Sequence, residues 1–215
     1  GEVLALSAND GTEIWRAQMA GEVLAAPQTD GKIVVVQTYD GRLHGLNAAD
    51  GTEAWVYDSN LPVLTLRGTS SPIIFEKLVM AAFGNGKVVA FELATGATRW
   101  EARVAIAQGR SEIDRIVDID GNMVLLGTTL FAVSYQGRLA AIDIPSGRKL
   151  WQQEVSSYTG VDQGFGNIYV AAENGEVIAF QRTGQGERWR NADLLNRRLN
   201  APRVIKGYVA VADLE

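Results

Sequence analysis

The chain has 215 residues, 47% hydrophobic and 21% charged, a globular composition that excludes a disordered chain. Lys and Arg number 20 against 25 Asp and Glu, and no basic run exceeds Arg197-Arg198, so the net charge of −5 argues against a nucleic-acid or anionic-membrane surface. The absence of cysteine removes disulfides, thiolate nucleophiles and Cys-ligated metals, the single His44 removes His-pair metal sites, and the charge-free stretch at 121–137 is too short and too polar for a spanning helix.

The first strand signal follows Gly1, where Val3, Ala5 and Leu6 lead to an Asp10-Gly11 turn and then to Trp15. The same interval from Gly to Trp returns at 41–55, 86–100, 137–151 and 175–189. Four positions after each starting Gly stands a small residue, Ala5, Gly45, Ala90, Ala141 or Ala179, followed by a large one, Leu6, Leu46, Phe91, Ile142 or Phe180. Such a run, apolar on both faces with one face kept small, predicts a strand held between two other layers. Asp10-Gly11, Asp50-Gly51, Thr95-Gly96 and Ser146-Gly147 then predict tight turns in which glycine supplies the positive φ, with the Trp opening the partner strand. In the last copy Gln185 stands at the turn-glycine position between Gly184 and Gly186, which predicts a different turn.

Two more strands fit before each Gly, with apolar β-forming runs at 33–38, 78–83, 129–134, 168–172 and 208–212. Four short antiparallel strands per unit, repeated about every 43 residues, predict an all-β chain. Its fold class is a β-propeller of about five four-stranded blades in a single domain, 1–215. A β-sandwich with coincidental Trp spacing does not account for five matches of one interval. The phase of the first and last strand pairs would also let the two ends complete one blade.

Length varies only between each Trp and the next blade. Trp15 to Pro27 takes 12 residues, Trp55 to Pro72 17, Trp100 to Met123 23, Trp151 to Val161 10 and Trp189 to Pro202 13. Loops of one type emerge on one face of a propeller, and the two long ones are neighbours, so together they form the best candidate site. The first carries Leu61, Pro62, Val63, Leu64 and Leu66 before Arg67: leucines tucked into the core, or an exposed apolar patch with an Arg anchor. The second carries Glu112 and Asp114, then Asp118 and Asp120. Each pair is two apart and so shares a face if extended, where it is a solvated face, a support for an Arg, or a contact for a basic partner.

Other chemistry fits poorly. Asp118-Ile119-Asp120-Gly121-Asn122 starts like a calcium loop, but Thr129 stands where the closing carboxylate belongs. His44 replaces Leu4, Val89, Ala140 and Ile178 of the other copies and reads as a packed or rim histidine. Gly84-Asn85-Gly86 lacks the helix and Lys of a phosphate loop, and no motif selects a carboxylate pair for glycoside hydrolysis.

The Gly, small residue, turn Gly and Trp pattern resembles the tryptophan-docking motif of PQQ-type propeller repeats. The resemblance implies that Trp15, Trp55, Trp100, Trp151 and Trp189 are structural, each packed between neighbouring blades. Two inserted stretches are more specific: Leu64-Thr65-Leu66-Arg67-Gly68 with Ser70 and Pro72, and Ser111-Glu112-Ile113-Asp114 with Asp118 and Asp120. With the repeats around them they resemble the BamB family of outer-membrane assembly lipoproteins, propeller subunits of the Gram-negative β-barrel assembly machinery. That resemblance implies an eight-bladed ring of which this chain is an arc, and a lipid anchor on an N-terminal Cys that this chain lacks. It implies a location at the periplasmic face of the outer membrane and a scaffold with no catalytic residue, metal or cofactor. The implied partner is the POTRA region of the barrel-inserting subunit, met through Leu64, Leu66, Arg67, Asp118 and Asp120, with unfolded outer-membrane proteins as a further partner. Two alternatives share the repeat: a PQQ-dependent quinoprotein dehydrogenase, many of which carry a vicinal Cys pair, and a ligand-sensing ectodomain.

Overall fold

The computed structural model describes residues 1–62, 64–66, 68–108 and 110–214. The chain opens with a two-stranded sheet, β1 (Glu2–Leu6) and β2 (Glu13–Gln18). Four complete antiparallel meanders follow. The first joins β3 (Gln28–Thr29), β4 (Ile33–Gln37), β5 (Arg42–Asn47) and β6 (Glu53–Asp58). The second joins β7 (Ile73–Phe75), β8 (Leu78–Ala82), β9 (Lys87–Glu92) and β10 (Thr98–Arg103). The third is β11 (Val124–Leu126), β12 (Thr129–Val133), β13 (Arg138–Asp143) and β14 (Lys149–Glu154). The fourth is β15 (Val161–Gly164), β16 (Asn167–Ala171), β17 (Val177–Gln181) and β18 (Glu187–Asn191), and the pair β19 (Arg203–Ile205) and β20 (Tyr208–Ala210) ends the series. Among the described residues twenty strands thus make four whole blades and two half blades, the strand content of the five expected units.

The register explains the small residue of the motif. In every unit it pairs with the tryptophan: Ala5 with Trp15, Gly45 with Trp55, Ala90 with Trp100, Ala141 with Trp151 and Ala179 with Trp189. A Cβ at Gly45 would lie 2.1 Å from the Trp55 ring, so the indole lies over this position and a large side chain there would expel it. The ladder register shifts immediately beyond each of these pairs, a bulge that lets the last strand twist away from its partner.

The indoles then reach across to the next sheet. Trp15 Nε1 donates to the Ala48 carbonyl (2.8 Å), Trp55 to Leu93 (3.0 Å), Trp100 to Ile144 (2.7 Å) and Trp151 to Arg182 (3.0 Å). The ring rests against the turn glycine of that sheet: Gly51, Gly96, Gly147 and, in the deviant copy, Gly184, all at positive φ. The deviant turn is one residue tighter, with the Gly184 amide bonded to Gln181 three residues back where Gly51, Gly96 and Gly147 reach back four.

Trp189 departs from the expected docking. Among the described residues it faces no such turn; it is 38% exposed and its ring lies against Tyr169 of its own sheet, while a Cβ at Gly11 would touch nothing within 4 Å. Among the described residues no sheet with that turn stands beyond β18, where β19 and β20 follow. The two half blades stay apart, since β1 and β2 form one sheet and β19 and β20 another. The described residues therefore form an open arc, and the end-to-end pairing that the strand phase permits does not form.

The core is a series of layers between sheets. Val35, Leu43 and Trp55 meet Val79, Ala81, Val89 and Phe91; Met80, Val88 and Ala90 meet Leu130, Ala140 and Ile142; Phe131, Leu139 and Ala141 meet Ile168, Val170 and Ile178. This is why the inner strands are apolar on both faces. Among the described residues no helix is long and apolar enough to cross a membrane. Because strands alternate in direction, each loop from a fourth strand to the next first strand shares a face with the second-to-third turns, and both long loops open there.

Candidate functional site

The first long loop, 59–72, is fastened at its root. The Ser59 amide donates to the Gly41 carbonyl (3.1 Å), and Asn85 Nδ2 donates to the Ser59 carbonyl (3.0 Å). Gly41 has a φ of +85°, and a Cβ there would sit 2.4 Å from Leu61 Cγ, so the motif glycine also makes room for the first leucine of the loop. Leu61 is thereby half-buried, Leu66 is half-buried, and Leu64 is 43% exposed. The leucines divide between the two readings: Leu61 holds the loop down while Leu64 faces solvent. Arg67 and Val63 lie outside the described residues.

The second long loop, 104–123, enters with Val104 and Ala105 bonded to the Gly86 carbonyl, runs through a single 3₁₀ turn at Ile113–Arg115, and returns inward at Val117 and Ile119, both buried. Ser111 and Asp114 exchange backbone-to-side-chain hydrogen bonds at 3.1 and 3.2 Å. The Ser111 hydroxyl and amide hold the Asp114 carboxyl below its usual range. Gln136 Nε2 ties this turn to the following sheet through the Ile113 carbonyl (3.3 Å).

Asp118 is the hinge between the loops. It is fully buried, its amide carbonyl accepts from Tyr135 (2.9 Å), and its Oδ2 accepts a hydrogen bond from the Leu66 amide. A Cβ at Gly68 would fall 2.6 Å from Asp120 Cβ, so the first loop lies directly on the second at this point. Burial pushes Asp118 up to about 7 against the pull of the Leu66 amide. Burial also pushes Asp120 up to about 7, with the neighbouring Asp118 charge adding to the shift.

The structure thus brings Leu66, Asp118 and Asp120 together with Leu64 beside them. Of the three readings open for Asp118 and Asp120 it excludes the solvated face: the chain turns inward after the 3₁₀ turn, leaving Asp118 with no solvent exposure and Asp120 half-buried, while Glu112 and Asp114 stay outside.

A family model described as outer membrane protein assembly factor BamB matches residues 1–191. The chain belongs to the BamB family. It is 53% identical over 158 residues to the outer membrane protein assembly factor BamB of Pseudomonas aeruginosa, covering 74% of this chain and 42% of that protein. To the Yersinia pestis protein of the same name it is 36% identical over 213 residues, covering 99% of this chain and 54% of the other. The chain spans about half the length of the curated relatives it matches. The crystal structure of BamB from Moraxella catarrhalis superposes with a TM-score of 0.94 at 33% identity, over 99% of this chain and 65% of that one. A quinohemoprotein alcohol dehydrogenase from Comamonas testosteroni superposes at 0.70 with 16% identity, over 88% and 40% of the two chains, a likeness of fold alone.

Within this BamB-family arc, sequence reasoning passed over several residues of the loop face. Ile106 and Ile113 of the second loop are 55% and 65% exposed, and Tyr39 Oη lies 3.4 Å from Thr65 Oγ1. Gln37 is 3% exposed and lines the same small cavity as Asp118. The available signal was Gln37's departure from the repeat: it stands where the other sheets have Ala82, Val133 and Ala171.

Proposed function

We propose that the chain is a non-catalytic scaffold of the outer-membrane β-barrel assembly machinery and that its loop face binds the periplasmic POTRA region of the barrel-inserting subunit. The supporting observation is the fastening of the first long loop onto the second, Leu66 amide to Asp118, which leaves Leu64 exposed on a loop held in one shape. In this reading Leu64, Leu66, Arg67 and Asp120 form the contact. Asp118 acts beneath them, holding Leu66. An apolar side chain on a preorganised loop, with an arginine close by in the sequence, is the composition of a protein-binding hot spot. The protein works at the periplasmic face of the outer membrane, anchored by lipid in its full form, with unfolded outer-membrane proteins as a further partner.

The test is a binding titration against purified POTRA domains, with Arg67→Glu and Leu64→Ser as variants. The reading requires saturable binding by the parent chain and a loss of at least about tenfold in each variant. A parent chain that does not bind, or variants that bind as well as the parent, would refute it.

A further inference from the structure

Below the loop face lies a small cavity of about 20 Å³, lined among others by Gln37, Thr69, Gly84, Asp118 and Asp120. Three of its side chains carry a buried oxygen with no hydrogen-bonding partner among the described residues: Gln37 Oε1, Thr69 Oγ1 and Asp118 Oδ1. Gln37 is 3% exposed and Asp118 0%. The orientation of the Gln37 amide is set, because its Nε2 donates to the Ala82 carbonyl of the next sheet (2.7 Å), so its Oε1 can only accept. Asp118 Oδ2 is occupied by the Leu66 amide, leaving Oδ1 as a second acceptor. Thr69 can donate, and so can Asp118 Oδ1 in the protonated state that burial favours. One water molecule, which can offer two hydrogens and accept two, complements these three oxygens whether Asp118 is ionised or protonated. A cavity of this size exceeds the roughly 10–15 Å³ that one water needs, and buried waters make about three such bonds. A cation would require more oxygen ligands than these side chains supply.

We propose that this cavity is a binding site for one ordered water that bridges β4, the first long loop and the second, and that Gln37 is thereby a positioning residue for the partner-binding face. The water joins three segments distant in sequence: Gln37 on one sheet, Thr69 on the first loop, and Asp118 on the second. By completing the hydrogen bonds of Asp118 it fixes the carboxylate whose other oxygen holds Leu66. The effect on partner binding rests on the function proposed above; the effect on the loop does not.

Two measurements separate them. A crystal structure of the protein at about 1.5 Å should show density within hydrogen-bond distance of Gln37 Oε1, Thr69 Oγ1 and Asp118 Oδ1, with bond lengths of a water. Amide hydrogen exchange at Leu66 should accelerate by about tenfold or more in Gln37→Leu, and in the isosteric Thr69→Val, which removes the hydroxyl without disturbing Ala82. Exchange at core amides such as Val89 should stay unchanged in Thr69→Val. Affinity for the POTRA domains should fall with the Leu66 protection. An empty cavity, a cation in it, or unaltered Leu66 exchange in Thr69→Val would overturn the water site. Faster Leu66 exchange with no binding by the parent protein would keep the site and remove only the partner.

Discussion

The joint at Trp55 and the junction at Asp118 are buried to similar degrees and are built on opposite terms. Trp55 brings a large apolar surface and one N–H, and the neighbouring turn meets both, the ring against Gly96 and the N–H on the Leu93 carbonyl. Asp118 brings a carboxyl, satisfied on one oxygen by Leu66 and by no described residue on the other, with its acidity suppressed by burial. The first arrangement stabilises the stack of sheets. The second gives up stability to fix the shape of an exposed loop, and on the function proposed above that loop is the part a partner would read.

Stability should separate the two regions most widely. Trp55→Ala is expected to cost about 3 to 5 kcal/mol in denaturant unfolding, as buried aromatic truncations do. Trp189→Ala, at the same place in the repeat without a facing turn, should cost less than about 1 kcal/mol. Equal losses would mean that burial in the joint is not what gives the indole its effect.

The turn glycines sharpen the same contrast. Gly96→Ala meets both a φ of +69° and the Trp55 ring at 2.6 Å, whereas Gly11→Ala meets only its φ of +72°. The former should lose about 2 to 3 kcal/mol and the latter about 1 kcal/mol, measured as chemical unfolding midpoints.

The Asp118 and Asp120 junction predicts a pH effect of defined sign. Both carboxyls have folded values raised to about 7 from 3.8, so between those values the folded state holds more protons than the unfolded one. Their contribution to stability is complete below about pH 3.8 and is lost as the pH rises through 7. Asp118→Asn should therefore gain melting temperature relative to the parent at pH 8 compared with pH 5. The opposite sign would show that the pair is ionised and paired in the folded protein. Among the smallest effects, Glu101→Gln removes an exposed ion pair to Lys87 (2.7 Å) and should shift stability by less than about 1 kcal/mol.

The repeat was legible because its determinants are local and periodic. A Trp at a fixed interval from a Gly, with a small residue opposite, carries the register, the bulge and the inter-sheet contact together. Gln185 in the last turn announced a different turn, and the structure shows that the difference is a tighter one completed by Gly184. The position of the candidate site was legible from loop length. The state of its residues was not: carboxylates two apart look solvated until the chain is known to turn inward after Ile113–Arg115, and Asp118 is buried by Leu66 and Tyr135, distant residues with no periodic relation to it. Trp189 failed for a similar reason, since docking needs a turn on another sheet and the motif records only half of the joint.

The most direct test of the division between stabilising joints and a loop proposed to read a partner is to measure, on one variant carrying Leu64→Ser and Arg67→Glu, both the melting temperature and the affinity for POTRA domains. The account predicts a melting temperature within about 2 °C of the parent together with at least about a tenfold loss of affinity. A lowered melting temperature with affinity unchanged would contradict it and would assign this loop to the same structural work as the tryptophan joints.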